Sequence, residues 1–172
     1  MINNPQAVKS LIVASASPIV SDDWGEFTQD SGINDKYGAG LLNLRKAIDN
    51  NSPITIGITS GTMGQVVSTV SFSIVGRTPF DASVVNIVNN KTVEDYNPSF
   101  SIYNIRVIDP NGNVVNNDDM YDGQFSISST TYNNVVKIHT LLSYTGIYKL
   151  EIFLSSIKVS GTEYLGISLI TK

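Results

Sequence analysis

The spacing of apolar and polar positions changes character once along the chain. From Asn4 to Ala16 the apolar residues recur at helical spacing, with Val8, Leu11, Ile12 and Ser15 on one face. Asn4 is a candidate N-cap and Pro5 suits a first helical turn, so the spacing predicts a helix over 4–16. Residues 17–40 gather Pro18, Gly25, Gly32, Gly38 and Gly40 among Asp, Ser and Asn, which reads as a long loop ending in a glycine-rich turn. A second helix is expected after Asn43 as cap, carrying Leu44, Ala47 and Ile48. At Asn50-Asn51-Ser52-Pro53 the helical spacing ends, and from there to the C-terminus the period is two.

In the second region Val66, Ser68, Val70, Phe72 and Ile74 alternate with their neighbours, and similar runs occupy 100–108, 135–141, 148–154 and 164–170. Weaker candidates at 54–58, 84–88, 114–115 and 124–128 bring the count to eight or nine short strands separated by turn signals. The fold expected is mainly β: an antiparallel β-sandwich of jelly-roll or immunoglobulin-like kind over 53–172, preceded by a two-helix segment over 1–52. Asp109-Pro110-Asn111-Gly112-Asn113 predicts a tight hairpin turn, with Gly146-Ile147-Tyr148 opening a later strand.

Composition narrows the function classes. At 172 residues the chain can bury roughly 70% of its unfolded surface, enough for a real core. Its hydrophobic fraction of 41% against 15% charged residues is that of a globular protein, and the longest apolar runs are far too short to span a bilayer. A net charge of −4 with only 11 Lys plus Arg, and no basic stripe, argues against nucleic acid as a partner. The absence of cysteine removes disulfides, thiol nucleophiles and zinc-thiolate sites together. The opening residues MINNPQAVKS lack the features of a signal peptide, so an export signal is expected upstream of Met1 if the protein is secreted.

Two segments carry a family resemblance. Pro5 to Ala16, PQAVKSLIVASA, resembles the "P-x-x-V-K-x-x-L-x-x-x-A" segment of subtilisin-like serine proteases, with Pro5, Val8 and Lys9 in place. Tyr37 to Ala47, YGAGLLNLRKA, resembles that family's "G-x-G-x-[LV]-[ND]-x-x-x-A", which opens the last helix of the protease domain; Gly38, Gly40, Leu42, Asn43 and Ala47 fill it in register. The glycines would allow a sharp turn, Asn43 a helix cap and Ala47 close packing. The resemblance covers about residues 1–50. It implies the C-terminal end of a subtilase catalytic domain followed by an accessory sandwich, from a bacterial, extracellular or cell-surface serine endopeptidase acting on protein substrates.

It also implies what should lie elsewhere. A subtilase places Asp in "D-[ST]-G", His in "H-G-T" and Ser in "G-T-S-[MA]-x-x-P", in that order and ahead of the segment matched here. Asp30-Ser31-Gly32 has the letters of the first motif in the wrong place, and Thr59-Ser60-Gly61-Thr62-Met63 has the letters of the third in the wrong order. His139 stands mid-strand with no Ser or Asp assignable to it. The chain alone is therefore expected to be non-catalytic. Its expected partner is the remainder of the catalytic domain, or a second copy through residues 1–50, because Val8, Leu11, Ile12, Leu42, Leu44 and Ile48 would have no core of their own.

Other constellations support different classes. Asp109, Asn111 and Asn113, with Asp118, Asp119 and Asp122, form an oxygen-rich run that could take calcium, although Val114 and Met120 stand where an EF-hand needs Gly and Glu. A solvated loop is the plainer reading, and no cofactor is expected. Trp24 among Asp22, Asp23 and Glu26 reads as a loop anchor or a sugar platform. The tyrosines of the β region are expected to pack half-buried with their hydroxyls in water. A stand-alone extracellular binding or adhesion module, for glycan or calcium, is the alternative function, and a pseudo-protease subunit paired with a catalytic chain is a third.

Overall fold

A computed structural model describes residues 4–17, 41–49, 53–86, 101–115, 134–156 and 161–171. Two helices, α1 (Pro5–Ser15) and α2 (Leu44–Asp49), precede seven strands: β1 (Ile54–Ile58), β2 (Val66–Ile74), β3 (Thr78–Asn86), β4 (Tyr103–Ile108), β5 (Asn134–Leu142), β6 (Gly146–Leu154) and β7 (Glu163–Thr171). The strands form two antiparallel sheets, ordered β1-β7-β3-β5 and β2-β6-β4. Phe80, Val84, Ile138, Leu165 and Ile167 of the first sheet meet Tyr103, Ile105, Val107, Leu150 and Ile152 of the second in one core. The chain is mainly β and sandwich-like, with the helices on the outer face of the four-stranded sheet.

Both helices begin where the sequence placed them. Asn4 Oδ1 accepts from the backbone N–H of Gln6 at 3.0 Å and of Ala7 at 3.3 Å, and Pro5 opens the first turn. Asn43 Oδ1 accepts from Lys46 N at 2.9 Å and so caps α2. The face that α1 buries is not the apolar one, which was expected to have no core of its own within the chain. Gln6, Ala7, Ser10, Val13, Ala14 and Ser15 are buried, whereas Val8 and Ile12 are exposed and Leu11 is half-buried. The reason is the partner: the helix lies on a sheet face made of small and polar side chains, and small residues are what let the two backbones approach.

Gly166 of β7 is where that approach is closest. A Cβ built there would stand 2.1 Å from both the carbonyl carbon and the oxygen of Gln6, inside the van der Waals envelope of the helix backbone. Beside it Ser10 Oγ donates to Ala7 O at 2.8 Å and lies 2.8 Å from Ser168 Oγ, so the Ser168 hydroxyl is the donor in that pair. Ser83 Oγ donates to Ser10 O at 2.5 Å. Val13 closes the contact against Val85 and Val135.

The strands depart from expectation in two places. β3 runs from Thr78, well before the expected 84, because it is a central strand buried on both faces; Asp81 and Ser83 on its helix side mask the alternation, and Pro79 sits at its second position. Val114 forms only an isolated bridge to Ile108 rather than a strand. The expected strand at 124–128 lies outside the described residues. At the hairpin 109–113 Gly112 has φ of 90°, and Gly146 (φ 152°) is required because a side chain there would meet Pro110 at 2.7 Å. No helix among the described residues is long and apolar enough to cross a membrane.

The Gly166 contact predicts a steep response to one methyl group. Gly166→Ala should destabilise the chain by about 3 kcal/mol, at the top of the overpacking range, because backbone and not a side chain must move. Gly57→Ala on the neighbouring strand, whose Cβ would meet only Thr162 and Tyr164 at ordinary distances, should change the urea midpoint little. Paired denaturant titrations check both.

Candidate functional site: the face between the helices and the sandwich

The outer face of the four-stranded sheet carries charges as well as serines. Asp81 on β3 stands directly opposite His139 on β5, and the next pair on the same face is Ser83 opposite Lys137. Asp81 is buried; His139 Nδ1 lies 2.7 Å from its Oδ1, and Lys46 Nζ of α2 lies 2.5 Å from its Oδ2. The carboxylate is thus held by one group from the sandwich and one from the helical segment. Its hydrogen bond fixes His139 with the proton on Nδ1.

Burial pushes the Asp81 carboxyl up, but hydrogen bonds and positive charge from His139 and Lys46 outweigh it and hold it below the usual carboxylate range. Lys137 is 1% exposed, and its ammonium donates to Ala16 O at 2.8 Å, at the C-terminal end of α1 where carbonyls concentrate negative potential. Burial pulls this ammonium down to about 8; Asp81 opposes that shift and Lys46 adds to it. Ser17 and Leu41 bridge through paired backbone bonds of 2.9 and 2.8 Å, and Asn43 Nδ2 donates to Ser17 Oγ at 3.3 Å, so the chain entering α2 is tied to the end of α1.

His139 therefore has a carboxylate partner that the sequence did not disclose. Asp81 is 58 residues away, and only the β3–β5 register brings the two together. Among the described residues no hydroxyl is hydrogen-bonded to His139. What the cluster does is electrostatic: Lys46 and the α1 terminus are clamped to the sandwich through Asp81 and Lys137.

The outward side of the helices is apolar. Val8 and Ile12 of α1 and Leu41, Leu42, Leu44 and Ile48 around α2 are all exposed, Ile48 to 71%. Of the motif residues, Pro5 and Val8 are exposed, Lys9 is half-buried, Asn43 is the α2 cap and Ala47 is buried. Gly38 and Gly40 lie outside the described residues, as do Asp30-Ser31-Gly32, Trp24 and Tyr96, Tyr121 and Tyr132.

The oxygen-rich run is only partly described, since Asp118, Asp119 and Asp122 lie outside. Asp109 Oδ1 accepts from Asn111 N at 2.9 Å and Asn113 N at 2.8 Å, and Oδ2 from Asn113 Nδ2 at 3.2 Å; burial raises this carboxyl, but those bonds hold it below its usual range. Among the described residues no three His, Asp or Glu side chains converge as a metal site would need. A cavity of about 280 Å³ opens beside this turn, lined by Asp109, Asn113, Leu142, Tyr144 and Tyr148. Tyr144 is exposed, whereas Tyr103 and Tyr148 are core residues. The hydroxyl of Tyr103 reaches Glu163 Oε2 at 2.6 Å rather than water, and burial together with that carboxylate pushes it up.

No protein-family model matches this chain, and no curated protein is significantly similar to it.

The buried ammonium gives a pH dependence with a definite sign. Because Lys137 releases its proton near pH 8 when folded and near 10.5 when unfolded, the unfolded chain binds more protons between those values and stability rises with pH. The gain between pH 8 and 10 should be about 2 kcal/mol. Above pH 10 Tyr103, raised when folded, turns the slope downward. Lys137→Met should flatten the rise, read as the urea unfolding free energy at pH 7, 8, 9 and 10.

Proposed function

We propose that this chain is a non-catalytic C-terminal part of a subtilisin-like serine endopeptidase, in which the sandwich is an accessory domain and the helical segment joins it to the catalytic domain. The observation that carries the reading is the division of α1 into two faces. Its small and polar side (Ala7, Ser10, Ala14) lies on the sandwich, whereas Val8 and Ile12, on the apolar side that the motif residues define, remain uncovered together with Leu42, Leu44 and Ile48. A helix used on both sides is what a joint between two domains needs. The protease would attack peptide bonds through a serine activated by histidine, and those residues would belong to the catalytic part.

In this role the Asp81 clamp is structural. Lys46 anchors α2 to β3 through an ion pair with Asp81, and Lys137 anchors the end of α1 to β5 through a hydrogen bond to a backbone carbonyl, so a load on the catalytic domain would reach the sheet through these two contacts. Removing one partner from such a pair leaves an uncompensated charge, which is why the clamp would hold the joint in one arrangement. The protein would act outside the cell or at its surface.

One observation favours a second reading, a binding module for a glycan. The cavity beside Tyr144 combines an exposed aromatic ring with the side chains of Asp109 and Asn113. Aromatic faces with neighbouring carboxylate and amide oxygens suit a sugar ring and its hydroxyls. Calorimetric titration with oligosaccharides should then give heat that Tyr144→Ala abolishes.

The main reading is tested by determining the coding sequence upstream of Met1 and co-expressing whatever it encodes. An in-frame "G-T-S-x-x-x-P" ahead of Pro5, and a complex between that segment and the chain, is the expected result. Leu42→Glu with Ile48→Glu should weaken the complex at least tenfold while leaving the chain's own melting temperature within a few degrees, since both side chains are exposed. Absence of protease sequence upstream would overturn the assignment.

A further inference from the structure

Among the described residues, the β2 edge of the three-stranded sheet is unpaired and is a surface that the joint described above does not use. β2 runs nine residues, VVSTVSFSI, and among the described residues it pairs only with β6. Edge strands of monomeric proteins are normally blunted by charge, proline or shortness. β1, the edge of the other sheet, is five residues long and follows Pro53; β4 carries Arg106, and β5 carries Lys137. β2 has no charge or proline and is not short; its one irregularity is the register shift between Val66 and Ser68, at its start. Val70 and Phe72 pack on the core but stay half-exposed, so the core itself is open along this edge. Phe72 nevertheless stacks on Phe80 at 4.6 Å with the rings 2° from parallel, which gives the edge a defined side-chain arrangement.

We propose that β2 pairs antiparallel with β2 of a second copy of this chain, about a two-fold axis through Ser71. The pairing with β6 slips between Val66 and Ser68, so the straight portion of β2 is Ser68 to Ile74 and its middle residue is Ser71. In the self-paired register Val70 stands opposite the partner's Phe72, and Phe72 opposite the partner's Val70, on the core side. Thr69 stands opposite the partner's Ser73, and Ser71 opposite the partner's Ser71, on the solvent side. Both half-exposed apolar residues are thereby covered twice, the solvent side becomes a ladder of hydroxyls able to hydrogen-bond across strands, and no like charges meet. The two sheets join into one of six strands, and the contact closes on itself, as an isologous interface must. One strand pair is a small interface, so half-dimerisation is expected at about 1–100 µM.

The test is sedimentation equilibrium on the full chain from about 1 to 500 µM, with variants at Ser71, whose side chain is exposed. Wild type should sediment as a monomer–dimer equilibrium. Ser71→Lys should be monomeric throughout with an unchanged melting temperature, because it places two ammonium groups on the axis. An equimolar mixture of Ser71→Lys and Ser71→Glu should recover the dimer. The chain has no cysteine, so Ser71→Cys should give a covalent dimer on mild oxidation and Thr171→Cys, on the other sheet, should not. A wild-type chain that stays monomeric at 500 µM overturns the proposal. So does a dimer that survives Ser71→Lys but is lost with Leu42→Glu and Ile48→Glu, since that dimer would use the helical face; failure at β2 leaves the protease reading untouched.

Discussion

The four-stranded sheet is covered on both faces, and much of the architecture follows from how its outer face is covered. A helix can lie on a sheet only at a distance its side chains permit. Here the backbone of α1 at Gln6 comes so near β7 that only glycine is possible at 166. That closeness selects small residues on the helix, Ala7, Ser10 and Ala14, and hydroxyls on the sheet, Ser83 and Ser168. It also turns Val8 and Ile12 away from the sandwich, since they occupy the other side of the same helix.

A close polar contact must satisfy its polar atoms. Ser10 does so for three elements at once, through Ala7 O, Ser168 Oγ and Ser83 Oγ. At the other end of the helix the same demand is met with charge. Lys137 takes the carbonyl of Ala16, and Asp81 is shared between His139 and Lys46, so a buried carboxylate and a buried ammonium lie on adjacent rungs of the same sheet face. Such groups are costly to bury and add specificity more than stability. Their placement ties both helices to one position on the sheet.

The molecule then divides into surfaces of different character. The outward face of α1 and α2 exposes Val8, Ile12, Leu42, Leu44 and Ile48 and is apolar. The β2 edge is narrow and uncharged. The cleft beside the 109–113 turn is small and polar.

The sequence by itself determined most of the local structure. The caps at Asn4 and Asn43, the glycine turn at 112 and five period-two strands are all local devices, governed by residues within a few positions of one another. Three things it could not determine. The extent of β3 was hidden because a strand buried on both faces loses its alternation, and the side by which α1 docks was hidden because the helix meets the sheet mainly through small and polar residues. The Asp81–His139–Lys46 cluster was equally hidden: His139 was visible as a lone histidine, but its carboxylate lies 58 residues away and its lysine on a helix before the sandwich begins. Strand register and helix docking bring them together, and neither is written in the neighbourhood of any one of the three. Tertiary packing decided them because the energy that sets register and docking comes from burying many side chains at once, not from any local preference.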